Sequence, residues 1–411
     1  MVDAALPDPP PPGLRLRGPE PLLPDPEPRT RNYPVISVDD HLIEPPDLFD
    51  GRIPAPLAAD APRIVEFEDG RQAWAYEGGL YPNVGLNAVV GRPKDQWKMD
   101  PARFDEMRTG CWDIHARIVD MDIAGVWASL CFPSLIAGFA GVVFSKSTSQ
   151  DLGLACVRAW NDWHHEVWAA TYPERIIPLG ITWLSDPVIA AAEVRRNAAR
   201  GFKALSFPEQ PVNLGLPSVH TDHWDPLLAA CEETGTVVCL HTGSASWTAA
   251  QSPGAPLELY TTLFPVNGIA AAADWLWARI PLRFPRLDIA FSEGGIGWVP
   301  MLLDRLDYIT DHSGTGGAGV WDGDLTPSEA VRRNFWFCTI DDPSTLGARE
   351  RIGVDHIMVE VDYPHADSSW PDTQELLGRR LADLPADHIR KITHENAARL
   401  FRHPLPPKGW C

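Results

Sequence analysis

From Pro34 onward, eight short apolar runs punctuate the chain, at 35–41, 125–133, 176–183, 202–207, 236–242, 287–293, 335–340 and 356–362. Most neighbouring runs are separated by an amphipathic helical pattern with recognisable ends. Asp186-Pro187 opens one such helix and Gly201 closes it, and the helix beginning at Trp224 closes at Gly235. Strand–helix alternation repeated eight times predicts an α/β fold: a closed parallel (β/α)8 barrel of the TIM type, in preference to an open doubly wound sheet. No Gly-rich phosphate loop follows the first run, which also disfavours the open sheet. At 411 residues, one barrel with insertions accounts for the chain.

Four stretches fall outside the repeat. Residues 1–32 are dense in proline and charge, with Pro9 to Pro12 consecutive. They read as a disordered, extended arm, neither a signal peptide nor a folded domain. Residues 33–403 form the expected metal-dependent barrel, and 404–411 a tail. Between the first two strands, residues 51–110 carry two alternating runs around Asp69-Gly70, the signature of a β-hairpin, and predict a small inserted cap. The Pro-, Gly- and Thr-rich stretch 244–267 reads as a long loop after the fifth strand. Both insertions would roof a pocket at the strands' C-terminal ends.

Lys+Arg 35 against Asp+Glu 55 leaves a net charge of −20, which excludes nucleic acid and anionic membrane surfaces as partners. A small-molecule substrate is the natural alternative. No run approaches the roughly 20 apolar residues of a membrane span. The seven cysteines are scattered without a Cys-x-x-Cys pair, as expected of reduced core thiols in a cytoplasmic protein. The 17 tryptophans and the Pro-rich loops suggest an apolar pocket roof and extensive subunit contacts.

The ends of the strands carry the chemistry. The first ends in Asp39-Asp40-His41, followed by Glu44-Pro45, and side-chain alternation puts Asp39 and His41 on one face with Asp40 on the other. His241 ends the fifth strand, Glu293 the sixth, and the eighth ends in Glu360-Val361-Asp362-Tyr363-Pro364-His365-Ala366-Asp367. A lone Asp-x-His is ordinarily a packed histidine beside a loop cap. Carboxylates and imidazoles converging from several strand ends instead suit Zn²⁺, Fe²⁺ or Mn²⁺, one ion or two. A buried carboxylate such as Asp362 is costly unless paired or metal-bound. Glu293 could equally bond the amides of the Gly294-Gly295 turn, and His365 and Asp367 could orient ligands rather than bind.

These residues, together with Trp160-Asn161-Asp162-Trp163, Gly201-Phe202-Lys203-Ala204 and the closing Glu395-Asn396-Ala397-Ala398-Arg399-Leu400-Phe401, resemble the amidohydrolase-related branch of the amidohydrolase superfamily. That branch includes aminocarboxymuconate semialdehyde decarboxylase and the resorcylate-type decarboxylases. The resemblance runs from about Pro34 to Phe401. It implies a (β/α)8 barrel with a divalent metal held by Asp39, His41, His241 and Asp362, and assembly as a homodimer or larger, with a hetero-oligomer as the alternative. Two departures stand out: Asp39-Asp40-His41 replaces the usual His-x-His or Glu-x-His, and Glu293 stands where the decarboxylases place a catalytic histidine.

The expected function is metal-dependent hydrolysis or decarboxylation of a small organic acid, amide, ester or lactone. Asp362, Glu293 and His365 are the catalytic candidates. Glu44 and Glu293, as surplus carboxylates, also admit a dinuclear non-haem iron monooxygenase. A non-catalytic barrel subunit of a hetero-oligomer is the third reading.

Overall fold

The computed structural model describes residues 22–94, 97, 101–250, 252–312, 321–322 and 324–411. Parallel strands run β1 (Ile36–His41), β5 (Ala128–Phe132), β6 (Ile176–Ile177), β7 (Leu179–Ile181), β8 (Ala204–Pro208), β9 (Val237–His241), β10 (Ile289–Ser292), β11 (Phe335–Thr339) and β12 (Ile357–Val359). Their order in the sheet is β6-β5-β1-β12-β11-β10-β9-β8-β7. β6 and β7 are two halves of one strand split at Pro178, which has no N–H to give a ladder. The first half pairs with β5 and the second with β8, so the sheet closes on itself as eight strands. Every residue of these parallel strands is buried, as the uninterrupted apolar runs require.

Helices cover the outside with the caps the sequence signals. Asp186 Oδ1 accepts from the amides of Val188 and Ile189 at 2.8 and 3.1 Å at the start of Pro187–Ala199. Gly235, at φ +66°, ends Asp225–Thr234. The stretch expected as loop through Asn267 is loop only as far as Pro256: helices cover Leu257–Thr262 and Phe264–Trp277. Pro256 and Pro265 sit at the entrances of these helices, where an absent N–H costs nothing.

The cap is a three-stranded antiparallel sheet, β2 (Arg63–Glu66), β3 (Gln72–Tyr76) and β4 (Gly79–Tyr81), with Glu66 opposite Gln72 across the Asp69-Gly70 turn. Residues 1–21 of the expected arm lie outside the described residues. Residues 22–34 run without helix or strand along the barrel. They are fastened by Arg29 to Asp372 (2.7 and 3.0 Å) and by the amides of Asn32 and Tyr33 to Gln374 (2.8 and 3.0 Å). At the opposite end the tail packs Trp410 on Trp127, ring centroids 4.9 Å apart. Six cysteines are buried free thiols and Cys411 is exposed. Among the described residues no helix is long and apolar enough to cross a membrane.

Candidate metal centre

Backbone pairing beyond the regular ladders gathers the strand-end residues. Asp362 N donates to Asp39 O at 2.8 Å and His41 N to Tyr363 O at 2.6 Å, zipping the end of β1 to the segment after β12. The eighth strand was expected to continue through Asp362, but the ladder stops at Val359. Glu360 N still reaches Thr339 O (3.1 Å) and Val361 N the hydroxyl of Ser37 (2.9 Å), and then Asp362 turns out of the strand at φ +55°. Glu293 makes the same exit from β10 at φ +58°. Two carboxylates held in the left-handed region, which non-glycine residues seldom occupy, share one barrel mouth.

Asp39, His41, His241, Asp362, Glu293 and His365 come together there. His41 Nε2 lies 3.6 Å from Asp39 Oδ1 and 3.4 Å from Asp362 Oδ1. His241 Nε2 lies 3.6 Å from Asp39 Oδ1, 3.4 Å from Glu293 Oε2 and 3.1 Å from His41 Nε2. The His365 ring stacks on His41 with centroids 3.9 Å apart, and its Nδ1 lies 3.0 Å from Asp362 Oδ1. Asp367, at the exposed edge, completes a group with Glu293, Asp362 and His365.

Close as these atoms lie, several of them form no hydrogen bond. Both carboxylate oxygens of Asp39 and of Asp362, Nδ1 of His41 and both ring nitrogens of His365 are buried without a hydrogen bond. The Nδ1 of His241 is 2.7 Å from the carbonyl of Thr242, so it carries the proton and leaves Nε2 as a bare lone pair aimed at His41 Nε2. Burial, reinforced by Glu360 and Glu293, holds the Asp39 carboxyl well above the usual carboxylate range. Burial does the same to Asp362, with Asp367 and Glu293 adding to it, and to Glu293 beside Asp367 and Glu360. Burial also lowers the imidazoles, His241 to about 3, His365 to about 4 and His41 well below its ordinary value. Buried polar atoms are normally satisfied, so a nest of orphaned carboxylate and imidazole donors is what a divalent cation would complete. The donor set fits such an ion, with Asp39, His41, His241 and Asp362 able to hold it.

Glu44 lies outside these groups. Its Oε1 accepts from the amide of Ser134 (3.0 Å) and the indole of Trp160 (3.2 Å), and burial raises its carboxyl to about 7. Asp40, on the opposite face from Asp39, accepts from the Ser129 hydroxyl and from Tyr363 N at 3.0 Å, anchoring the strand end. Lys203 immediately precedes β8, at the far end of the barrel, beside Arg402.

Three contributors carry no strand-end signature in the sequence. Arg117, buried on the helix Ile114–Ala124, donates to the carbonyl of His41 at 2.5 Å and to that of Gly110 at 2.7 Å. Glu209, just past β8, accepts from Gly243 N (3.0 Å) and Asn267 Nδ2 (3.2 Å), bracing the turn that follows His241; burial raises it to about 7. Phe139, at φ +55° in the sequence Gly138-Phe139-Ala140-Gly141, lays its ring 4.8 Å from that of His241 and 5.3 Å from that of His41. The paired glycines around Phe139 were the one available sign of a sharply bent segment.

A family model described as amidohydrolase matches residues 100–403, and the chain belongs to the amidohydrolase family. The matched span contains His241, Glu293, Asp362 and His365, while Asp39 and His41 precede it. Among solved structures, an amidohydrolase from Mycobacterium avium subsp. paratuberculosis K-10 superposes with a TM-score of 0.72 at 23% identity, over 90% of this chain and 99% of that one. A 5-carboxyvanillate decarboxylase from Novosphingobium aromaticivorans, holding manganese and a nitrobenzoic acid derivative, gives 0.64 at 18% identity over 92% and 100%. A 2,6-dihydroxybenzoate decarboxylase from Rhizobium gives 0.63 at 17% identity over 90% and 99%. Likeness at these identities establishes the barrel.

Proposed function

We propose that this chain is a metal-dependent lyase that removes the carboxyl group of a small organic acid at the mouth of the barrel. The observation that carries this reading is the buried nest of Asp39, His41, His241 and Asp362, in which both oxygens of each carboxylate and Nδ1 of His41 form no hydrogen bond. Manganese-binding decarboxylases among the structural neighbours favour carboxyl loss as the reaction and Mn²⁺ as the first ion to try. A divalent ion bound at these residues supplies Lewis acidity, polarising a carboxylate or phenolate oxygen.

The protein's own residues do the rest. Asp39, His41, His241 and Asp362 fix the ion's position, and His365, stacked on His41 and against Asp362, orients that carboxylate. Glu293, whose carboxyl is held well above the usual carboxylate range by burial and by Asp367 and Glu360, acts as the general acid. When the C–C bond breaks, its electron pair stays on the ring or chain carbon, CO2 leaves, and the Glu293 proton moves to that carbon. Water then restores the proton to Glu293. Phe132 and Phe139, packed against His241, keep bulk water from the reacting carbon.

One feature favours hydrolysis as a second reading: Glu293, in its ionised form, is a carboxylate base 3.4 Å from His241 Nε2. Asp362 would be the alternative proton acceptor. The oxygenase alternative loses Glu44, whose carboxylate is engaged by Ser134 and Trp160.

The test is product analysis of the manganese-reconstituted protein on hydroxybenzoic acids, including 2,6-dihydroxybenzoate and 5-carboxyvanillate, beside aryl esters and lactones. The expected result is CO2 release that Glu293→Gln lowers at least about a hundredfold while bound metal stays at the wild-type level. Ester or lactone cleavage without CO2 release would transfer the assignment to hydrolysis.

A further inference from the structure

His41 is the last residue of β1, and its amide donates to Tyr363 O at 2.6 Å, across to the segment that follows β12. In a parallel ladder the next bond would run back from His365 N to the His41 carbonyl. His365 N instead donates to Asp362 O at 2.9 Å, inside the turn that carries Asp362 and His365 into the barrel mouth. The exit of Asp362 thus takes away the amide that the ladder owes to His41. The carbonyl is buried with the rest of the residue, and a buried carbonyl without a donor is costly.

Arg117 fills the gap from outside the sheet. Its Nη2 donates to His41 O at 2.5 Å, its Nε to Gly110 O at 2.7 Å and its Nη1 to Cys131 Sγ on β5 at 3.3 Å. The guanidinium lies over the ring of Tyr363, 4.3 Å from its centroid, with the Trp168 ring 5.3 Å away. One planar fork therefore touches both sides of the break: the end of β1 through His41, and the exit of the last strand through Tyr363. Ile43 N, bonded to Cys111 O at 2.8 Å, lashes the strand end to the same segment that Gly110 belongs to.

The charge itself is unusual. Arg117 is fully buried and forms no ion pair among the described residues; Asp40 is bonded instead by the Ser129 hydroxyl and by Tyr363 N at 3.0 Å. A buried guanidinium without a carboxylate against it is a poor device for stability alone, since an apolar side chain would fill the volume without the desolvation cost. Its three donors are aimed where the geometry of the donor cluster is decided.

We propose that Arg117 is a positioning residue of the metal centre: standing in for the missing ladder amide, it holds His41 in line while Asp362 and His365 leave the sheet, and so sets the spacing between ligands delivered by two strands. What the spacing serves rests on the metal-dependent reading above. The spacing itself belongs to the chain without metal.

The test compares crystal structures of metal-free full-length wild type, Arg117→Met and Arg117→Lys, together with calorimetric titration of Mn²⁺ into each. His41 Nε2 and Asp362 Oδ1 are 3.4 Å apart, and the expected result is a change in that separation of more than about 0.5 Å in Arg117→Met. Mn²⁺ affinity should fall about tenfold to a hundredfold in Arg117→Met, and by a smaller factor of at least about threefold in Arg117→Lys, which keeps a donor for one carbonyl and loses the fork. If Arg117→Met fails to fold, Arg117→Lys decides alone by the same two measurements. Folded variants whose cluster stays within about 0.5 Å of wild type, or whose Mn²⁺ affinity stays within about twofold, overturn the proposal and leave Arg117 a matter of stability only. Wild-type protein that takes no Mn²⁺ would refute the metal-dependent reading, and the metal-free separations would then decide the positioning role by themselves.

Discussion

The sharpest result at the scale of single residues is a separation between carboxylates that look alike in sequence. Asp39 and Asp362 are buried among imidazoles with no hydrogen bond to either carboxylate, whereas Glu44, three residues past His41, is bonded by Ser134 and Trp160. The strand-end candidates were legible because a buried parallel strand forces alternate residues to one side and the barrel closes that side into a mouth. Glu44 was not, because its partners lie 90 and 116 residues away and nothing local announces them. Its environment has a consequence for pH. Burial raises the Glu44 carboxyl from 4.5 to about 7, so the folded chain holds this proton more tightly than the unfolded one. The stabilisation is therefore complete below about pH 4.5 and lost as pH rises through about 7, a change on the order of 3 kcal/mol. Glu44→Gln keeps an oxygen acceptor for Ser134 and Trp160 and never ionises. Relative to wild type it should gain stability between pH 5.5 and pH 8.5 in denaturant melts of the metal-free protein; a difference that does not change with pH would contradict this.

At the scale of elements, the eight strands were legible from their apolar runs, but two local breaks were not. Past the split at Pro178, β7 is held from outside the sheet: Asn161 Nδ2 donates to Ile181 O at 3.2 Å and its Oδ1 accepts from Ile181 N at 2.8 Å. This gives the Trp160-Asn161-Asp162-Trp163 motif a structural role, as Asn396 has at the other end of the chain, where its Nδ2 donates to Val354 O and Ile357 O at 2.8 Å. Asn161→Ala leaves a buried N–H and C=O of β7 unpartnered and should cost about 2–4 kcal/mol in chemical unfolding. A loss below about 0.5 kcal/mol would show that Ile181 is held by other means. The second break, at Asp362, follows from a backbone conformation that no residue type in the sequence advertises. Left-handed φ at an aspartate comes from the contacts made by Asp39 and Tyr363 across the sheet, which a linear pattern cannot show.

For the whole molecule, the two ends of the barrel divide the labour. The end where the strands begin is sealed by the tail, with Trp410 between Trp127 and the guanidinium groups of Arg31 and Arg175. The end where the strands stop carries the donor cluster. If Asp39, His41, His241 and Asp362 hold a divalent ion, elemental analysis of the purified protein after reconstitution with Mn²⁺ or Zn²⁺ will find about one ion per chain, falling below about a tenth in His241→Ala and Asp362→Asn variants that still unfold cooperatively. Folded wild-type protein that retains no metal after reconstitution, or variants that retain as much as wild type, would contradict it.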